Sequence, residues 1–171
     1  MKFSQIILEK ISYYLLDRNE RISAAESVTS GFIQNAFSQM PYAEQFFEGG
    51  ITTYTIDQKV SQLNIDRDEA QSVNCVSRNI AESMALNVAR LFQTQWSVAT
   101  TGYATPVPES GNEIYAYYAI AYRGNIILSE RIDLDSHIKA LDAQHYFTEC
   151  VLSALKCEVK KGLPKFEIKK D

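Results

Sequence analysis

Apolar residues recur along this chain at two different spacings, and these spacings divide it into helices and strands. Between residues 3 and 17 they return at helical intervals, at Phe3, Ile7, Ile11 and Leu15, which predicts an amphipathic helix. From residue 114 to 122 nearly every position is apolar or aromatic, which is typical of a strand buried on both faces. The chain therefore combines helices with strands.

Shorter signals complete the set of predicted elements. Turn residues, helix breakers and β-branched runs set their bounds. The elements are a strand at 21–25, a helix from Ser27 or Thr29 to Gln39, a strand at 51–54, a helix at 57–63, a long helix opened by Ser77, strands at 96–101, 114–122 and 126–132, and a last helix at 136–157. This order predicts an α/β fold, a three-layer α/β/α sandwich in which helices cover both faces of a mixed sheet of about five strands.

Length and charge narrow the possible functions without identifying one. The 171 residues are 46% hydrophobic and 22% charged, which fits one domain over residues 1–160 and a solvated, lysine-rich tail over 161–171. The net charge of −4 argues against a general nucleic-acid or anionic-membrane binder. No apolar run reaches the roughly 18 residues of a membrane span, and the N-terminus has no signal-peptide cleavage site, so we expect a cytoplasmic protein.

Residues that often bind metals or act as catalytic bases are few and scattered. Cys75, Cys150 and Cys157 match no zinc or redox spacing. His137 and His145 stand eight residues apart in the predicted last helix, and we interpret both as ordinary helix residues. We therefore expect no metal site, and we expect any catalytic base to be a residue other than histidine.

The first candidate for chemistry is Ser27, in the run Ala-Glu-Ser-Val-Thr-Ser-Gly at a predicted strand-to-helix junction. The N-terminus of a helix presents free N–H groups that suit a phosphate or a developing oxyanion. Ligands of open α/β sheets bind beyond the carboxyl ends of the strands, which is where this serine lies. The alternative is that Ser27 or Thr29 only caps the helix, a common use of these residues.

The second candidate is Lys59, which follows the predicted strand that ends at Tyr54. A serine nucleophile needs a base, and a lysine can serve if burial lowers its pKa enough to free the amine. Tyr54 could then relay or orient the proton. The alternative is that Lys59 is a solvated charge on a short helix.

The third candidate is the stretch Thr-Thr-Gly-Tyr-Ala-Thr-Pro at residues 100–106, which follows a predicted strand. A strand that ends in Thr101 and Gly102 and runs into a proline-containing loop can form one wall of a pocket. By itself this pattern has low specificity.

Taken together, these blocks resemble the CinA C-terminal domain family. The family pattern is roughly T-A-E-S-C-T-G-G, then G-G-x-x-x-Y-x-x-x-x-K, then V-S-x-x-x-A-x-x-M-A, then T-G-x-A-G-P-x-G-G. This chain matches it at Ala24–Gly31, at Gly49–Lys59, at Val76–Ala85 and at Thr101–Pro106. The resemblance spans about residues 5–157, which is nearly the whole predicted domain.

The resemblance implies an amidohydrolase that converts nicotinamide mononucleotide to nicotinic acid mononucleotide and ammonia. It implies that Ser27 is the nucleophile and Lys59 its base, with Tyr54 assisting, and that N–H groups near 29–31 stabilise the oxyanion. The residues it assigns to substrate binding are Glu26, Thr29, Ser30, Gly31, Thr101 and Gly102. It implies no metal or organic cofactor, a small-molecule nucleotide as substrate, no nucleic-acid or membrane partner, and self-association into a homo-oligomer.

Several departures from the family pattern fall where the substrate is expected. Val28 replaces the family cysteine, Ser30 and Thr105 replace glycines, and Ser136 replaces an arginine, with His137 or Lys139 as possible substitutes. A side chain in place of glycine blocks close approach of the backbone, and a lost arginine removes a bidentate phosphate partner. Two alternatives therefore stay open: a domain that binds a nucleotide or a protein without turnover, and an amidase for a different, non-phosphorylated substrate.

Overall fold

A computed structural model describes residues 2–161, so all of the predicted tail except Lys161 lies outside the described residues. Six helices and five strands make up the described part of the chain. The helices are α1 (Gln5–Asp17), α2 (Phe32–Ser38), α3 (Ile56–Leu63), α4 (Arg67–Ser72), α5 (Arg78–Phe92) and α6 (Ala140–Lys161). The strands are β1 (Ile22–Glu26), β2 (Phe47–Thr52), β3 (Trp96–Tyr103), β4 (Ile114–Tyr122) and β5 (Asn125–Leu134).

The five strands form one mixed sheet in the order β2-β1-β3-β4-β5. The strand β1 pairs in parallel with both β2 and β3, whereas β3, β4 and β5 form an antiparallel meander. Because β1, β2 and β3 run in the same direction, their carboxyl ends meet at one edge of the sheet. This confirms the predicted α/β fold with a mixed five-stranded sheet.

Helices cover both faces of the sheet, as the alternation of side chains along β1 requires. Ile22 and Ala24 belong to a core cluster with buried residues of α1, α2 and α6, whereas Ala25 belongs to a second cluster with α5. On the second side the sheet contributes small residues, Ala99 and Ala119 among them, so the alanine-rich α5 lies close to the strands. The structure is thus the predicted three-layer sandwich.

Short polar side chains begin three of the helices as their sequence suggests. The Ser77 hydroxyl accepts the N–H of Ile80 at 3.1 Å and starts α5, which confirms Ser77 as the predicted opening residue. Thr55 and Asp66 cap α3 and α4 in the same manner. The six-residue α4 was absent from the predicted elements, because a single helical turn is too short to show an apolar period.

The predicted starts of α2, β2 and α6 were wrong. The helix α2 begins at Phe32 rather than near Ser27, because a left-handed turn precedes it. Gly50 lies inside β2 instead of before it, and a Cβ atom there would meet the Ala24 carbonyl oxygen at 2.8 Å. The last helix begins at Ala140 rather than Ser136, so His137 precedes it as an exposed residue beside Asp135.

Candidate active site

The three candidate blocks meet at the edge where the parallel strands end. Ser27 follows β1, Lys59 lies on α3 just after β2, and Gly102 lies near the end of β3. A cavity of about 510 Å³ opens between them, and Ser27, Lys59 and Gly102 all line it. Residues more than 70 positions apart in the sequence therefore form one site.

Lys59 is the buried centre of this site. Its side chain is only 2% exposed, and its Nζ atom lies 3.0 Å from the Ser27 hydroxyl oxygen, 2.9 Å from the Thr53 carbonyl oxygen and 3.3 Å from the Tyr54 carbonyl oxygen. No carboxylate forms an ion pair with it among residues 2–161. The position on α3 follows from the Thr55 cap, which starts the helix one turn before the lysine.

The hydrogen-bond partners of Lys59 suit a neutral amine. The two carbonyl oxygens can only accept, so they take the two N–H groups of an uncharged amine. The remaining lone pair is then left for the Ser27 hydroxyl, which can donate its proton. Once protonated, the ammonium can donate to the same three partners, with the Ser27 oxygen as an acceptor. The same geometry therefore suits Lys59 both before and after a proton transfer.

Burial lowers the pKa of Lys59 from the ordinary lysine value, because the low-polarity surroundings disfavour the charged form. A charge interaction with Cys75 opposes this shift. Burial raises the pKa of the Cys75 thiol, and the charge of Lys59 opposes that shift. A buried lysine with a lowered pKa, hydrogen-bonded to a serine in a cavity, is a pattern typical of catalytic sites.

Tyr54 takes a different place from the one expected of a proton relay. Its side chain is 73% exposed and lines the cavity, whereas its backbone carbonyl is the atom that accepts from Lys59. Within the described residues its hydroxyl makes no hydrogen bond with Ser27 or Lys59. The structure therefore brings the Tyr54 backbone, and not its phenol, to the serine–lysine pair.

Glu26 and Thr29 lie beneath the site and do not line the cavity. The Glu26 carboxylate is fully buried and accepts hydrogen bonds from the Thr29 hydroxyl at 2.7 Å and from the N–H groups of Gly31, Ile33 and Gln34 at 2.8–3.1 Å. It thus satisfies the first turn of α2, which Gly31 leaves without a side-chain cap. Neither Ser27 nor Thr29, the two predicted capping residues, caps α2 with its side chain; Glu26 accepts these N–H groups instead.

Ser30 and Gly31 form the left-handed turn that precedes α2, with φ angles of 50° and 99°. The Ser30 N–H donates to the Ser27 carbonyl at 3.2 Å, and the Gly31 N–H donates to Glu26, so neither is free for an oxyanion. Within residues 2–161 the N–H groups of Val28 and Thr29 donate to no acceptor. Of the N–H groups expected at 29–31 to hold the oxyanion, only that of Thr29 remains available, and Val28 adds a second.

Thr101 and Gly102 also line the cavity. The Thr101 hydroxyl donates to the Cys75 carbonyl at 2.7 Å, which joins β3 to the segment before α5. Gly102 pairs with Ala116 of β4, and a Cβ atom at Gly102 would lie 2.6 Å from the Ala116 Cα. Close strand pairing therefore explains why position 102 is a glycine.

Several wall residues had no signal in the sequence. Asn74 and Cys75 both have positive φ angles, 47° and 58°, and Asn74 donates to the Tyr103 hydroxyl at 2.8 Å across the wall. Gln144 reaches the site from α6 and donates to the Val28 carbonyl at 3.0 Å. Glu109, from the loop after β3, is the one acidic side chain among the residues that line the described cavity. Only the folded chain brings these residues together.

Two features are absent from the described residues. Residues 2–161 contain no cluster of three or more histidine, cysteine or carboxylate side chains that could hold a metal ion. No helix within the same residues is long and apolar enough to cross a membrane.

The fold and the site define a three-layer α/β domain with a buried serine–lysine pair at the carboxyl ends of its parallel strands. The sequence model of the CinA C-terminal domain matches residues 4–157, and the chain belongs to this family. A CinA-like protein of Prochlorococcus marinus strain MIT 9312 is 36% identical over 92 residues, which cover 54% of this chain and 22% of that protein. The chain spans between about a fifth and a third of the length of the curated relatives it matches.

Solved structures share the same fold at low sequence identity. The competence damage-inducible protein A of Klebsiella pneumoniae superposes with a TM-score of 0.87 at 20% identity, covering 95% of this chain and 100% of that one. A competence/damage-inducible protein of Agrobacterium tumefaciens gives 0.79 at 23% identity, covering 94% and 99%. These similarities confirm the fold.

Proposed function

We propose that this protein is an amidohydrolase in which Ser27 attacks a carboxamide and Lys59 acts as its base. One observation carries the proposal: the buried Lys59 amine lies 3.0 Å from the Ser27 hydroxyl, and its other two partners are carbonyl oxygens. A solvated lysine could not act in this way at neutral pH, because it would hold its proton.

The reaction follows from the placement of these groups. The Ser27 oxygen bonds to the carboxamide carbon while its proton passes to Lys59, and the N–H groups of Val28 and Thr29 are the free donors nearest the serine for the negative oxygen. Lys59 then returns the proton to the leaving nitrogen, which departs as ammonia. Water, deprotonated by the same amine, releases the carboxylic acid and restores Ser27.

The substrate to test first is nicotinamide mononucleotide, because the family resemblance implies it. Wild-type protein is expected to release ammonia from it, and Ser27→Ala is expected to reduce the rate by at least a hundredfold. Ser30→Ala is the matched control, since Ser30 lies in the same turn but is exposed and does not line the cavity. Equal rates in wild type and Ser27→Ala contradict the proposal.

The charges of the cavity wall favour a second candidate, an amide without a phosphate. Glu26 occupies the N–H groups at the start of α2, where a phosphate would otherwise bind. Lys59 and Glu109 are the charged side chains of the described cavity wall, and Lys59 is committed to Ser27. An uncharged or cationic amide such as nicotinamide riboside suits this wall better than a phosphate ester does.

The two substrate classes can be separated by one substitution. Under the second candidate, Glu109→Gln lowers kcat/KM for the cationic riboside several-fold and leaves that for the mononucleotide unchanged or higher. A wild-type preference of tenfold or more for the mononucleotide supports the first candidate instead. A rise in thermal stability on adding either compound, without ammonia release, supports binding without turnover.

A further inference from the structure

The residues beneath Ser27 form a buried polar chain that links β1 with β3. Glu26, Thr29 and Thr100 are each fully buried. The Thr29 hydroxyl lies 2.7 Å from the Glu26 carboxylate and 2.7 Å from the Thr100 hydroxyl. We call these three residues the Glu26–Thr29–Thr100 chain.

The chemistry of the three groups fixes the direction of its hydrogen bonds. An ionised carboxylate only accepts, so Thr29 donates its single hydroxyl proton to Glu26. Thr100 must therefore donate to Thr29. The Glu26–Thr29–Thr100 chain runs from β3 to the end of β1. It ends at the Glu26 carboxylate, which also accepts hydrogen bonds from three backbone N–H groups.

This chain joins β1 and β3, two neighbouring strands whose carboxyl ends both contribute to the cavity. Glu26 is the residue before Ser27, and Thr100 is the residue before Thr101, which also lines the cavity. Between Ser27 and α2 the backbone makes a turn with two consecutive positive φ angles, one of them at the non-glycine Ser30. Such a turn has no regular element to hold it and depends on surrounding contacts for its shape.

A buried carboxylate is costly unless hydrogen bonds satisfy it, which makes its presence informative. Among residues 2–161 no cation forms a salt bridge with Glu26. All of the partners named above belong to the Ser27 turn and the first turn of α2. The carboxylate is therefore used to shape this turn and not to pair a charge elsewhere.

We propose that Glu26, Thr29 and Thr100 are positioning residues that hold the Ser27 hydroxyl against Lys59 and set its distance from the end of β3. The proposal rests on the proposed function for its catalytic meaning. It reassigns Glu26 and Thr29 from substrate contact to the support of the nucleophile. A small displacement of a reacting group is enough to lower a rate many-fold, so loss of one hydroxyl in the chain has a measurable effect.

The test replaces each threonine by valine, which keeps its shape and removes the hydroxyl, alone and together. Ser97→Ala is the matched control, because Ser97 lies on the same strand β3, is fully buried, and donates its hydroxyl to the Ala85 carbonyl at 2.7 Å on the side of α5. The measurements are kcat and KM, the rate at which a phosphonylating reagent labels Ser27, and the midpoint of urea unfolding.

We expect Thr29→Val and Thr100→Val each to lower kcat and the labelling rate about tenfold with KM within twofold. The double variant is expected to lose little more than either single one, because both substitutions break the same chain of hydrogen bonds. Ser97→Ala is expected to lower the unfolding midpoint comparably while kcat stays within twofold. Additive losses, or threonine variants that keep wild-type kcat and labelling, overturn the proposal.

One further measurement separates this proposal from the proposed function. The titration of the Lys59 side chain, followed by NMR, reports the surroundings of the amine in a protein with or without turnover. If Ser27 is held by the chain, both valine variants shift this titration upward as water reaches the amine, whereas Ser97→Ala leaves it in place. Wild-type protein that neither hydrolyses amides nor reacts at Ser27 contradicts the proposed function, and an unmoved Lys59 titration contradicts the positioning role.

Discussion

The Nζ atom of Lys59 lies 3.0 Å from the Oγ atom of Ser27, although 32 residues separate them in the sequence. The parallel pairing of β1 with β2 creates this proximity, because each residue follows the carboxyl end of one of these neighbouring strands. Whether the Lys59 amine is neutral or protonated therefore decides whether Ser27 can act as a nucleophile.

The first prediction concerns pH. Only the neutral amine accepts a proton, so kcat/KM is expected to rise with pH until Lys59 has lost its proton and to level off above that point. Because burial lowers the pKa of Lys59, the midpoint of this rise lies below the ordinary lysine pKa of 10.5. A rate profile from pH 5 to 10 measures it.

Lys59→Arg is the control for this profile. Arginine keeps the positive charge but cannot be deprotonated in this range, so no rising limb is expected. A rising limb that survives the substitution assigns the titration to another group.

The second prediction concerns the effect of Lys59 on the stability of the protein. The folded protein holds Lys59 at a lowered pKa, so below 10.5 the unfolded chain binds more protons and the charge disfavours folding. Lys59→Met removes this penalty and retains most of the buried volume. It also leaves the Ser27 hydroxyl and the Thr53 and Tyr54 carbonyl oxygens without their shared partner, which costs free energy at every pH. We therefore expect the stability of Lys59→Met relative to wild type to be more favourable at pH 7 than at pH 10, while kcat falls by a hundredfold or more.

Urea unfolding at pH 7 and at pH 10 checks the sign. The stability of Lys59→Met relative to wild type should fall at the higher pH, because the unfolded lysine, with an ordinary pKa of 10.5, begins to lose its charge there. A stability difference that is the same at both pH values contradicts a lowered pKa of Lys59.

The third prediction concerns Gly102, where β3 and β4 approach each other closely. A Cβ atom there would overlap the Tyr115 carbonyl and lie 2.6 Å from the Ala116 Cα, both of which are backbone atoms that cannot move aside. Gly102→Ala is expected to cost about 3 kcal/mol of unfolding free energy. Gly124→Ala is the control, since open space surrounds that position and only its φ of 79° opposes a side chain, at about 1 kcal/mol.

The fourth prediction concerns Glu20, at the opposite edge of the sheet from the active site. Its buried carboxylate accepts from the Tyr122 hydroxyl at 2.6 Å and from the Trp96 indole at 2.7 Å. Burial alone would raise the pKa of Glu20, but these hydrogen bonds and Arg123 lower it overall. Glu20→Ala leaves the tyrosine and tryptophan without acceptors and is expected to cost about 2 kcal/mol.

The Glu20 contribution has a defined pH dependence. The pKa of Glu20 in the folded protein lies below the ordinary 4.5, so its stabilising contribution is complete above pH 4.5. The contribution is lost as the pH falls through the folded-state pKa. Glu48→Ala is the control, since Glu48 forms an exposed ion pair with Arg21 and should cost less than about 1 kcal/mol. Equal losses in the two variants contradict the role of burial.

The sequence predicted the elements whose patterns are local. Ser77 begins its helix through its own side chain, and the apolar run at 114–122 is the strand expected of it. The start of α2 could not be predicted in this way, because the group that satisfies it is the Glu26 carboxylate, five or more residues before the N–H groups it accepts. Capping residues are usually short side chains next to the helix, so the capping pattern does not include a carboxylate as far from it in sequence as Glu26.

In the candidate site, too, local patterns predict some features and not others. The motif residues Ser27 and Lys59 were identified, and their contact required only that two parallel strands be neighbours. The backbone role of Tyr54, the wall position of Glu109 and the hydrogen bond from Gln144 depend on loop geometry and on a helix more than a hundred residues away. No periodicity or spacing in the chain encodes these contacts.

Two of the three partners of Lys59 are main-chain oxygens, those of Thr53 and Tyr54. Substituting either side chain leaves these oxygens in place, so these two contacts of the Lys59 amine are unaffected by most point mutations at positions 53 and 54. The cavity wall has no such protection, because it consists of side chains from several separate segments. A lineage built on this scaffold can therefore change what the cavity accepts by changing its wall, while the contacts of the Lys59 amine are inherited intact.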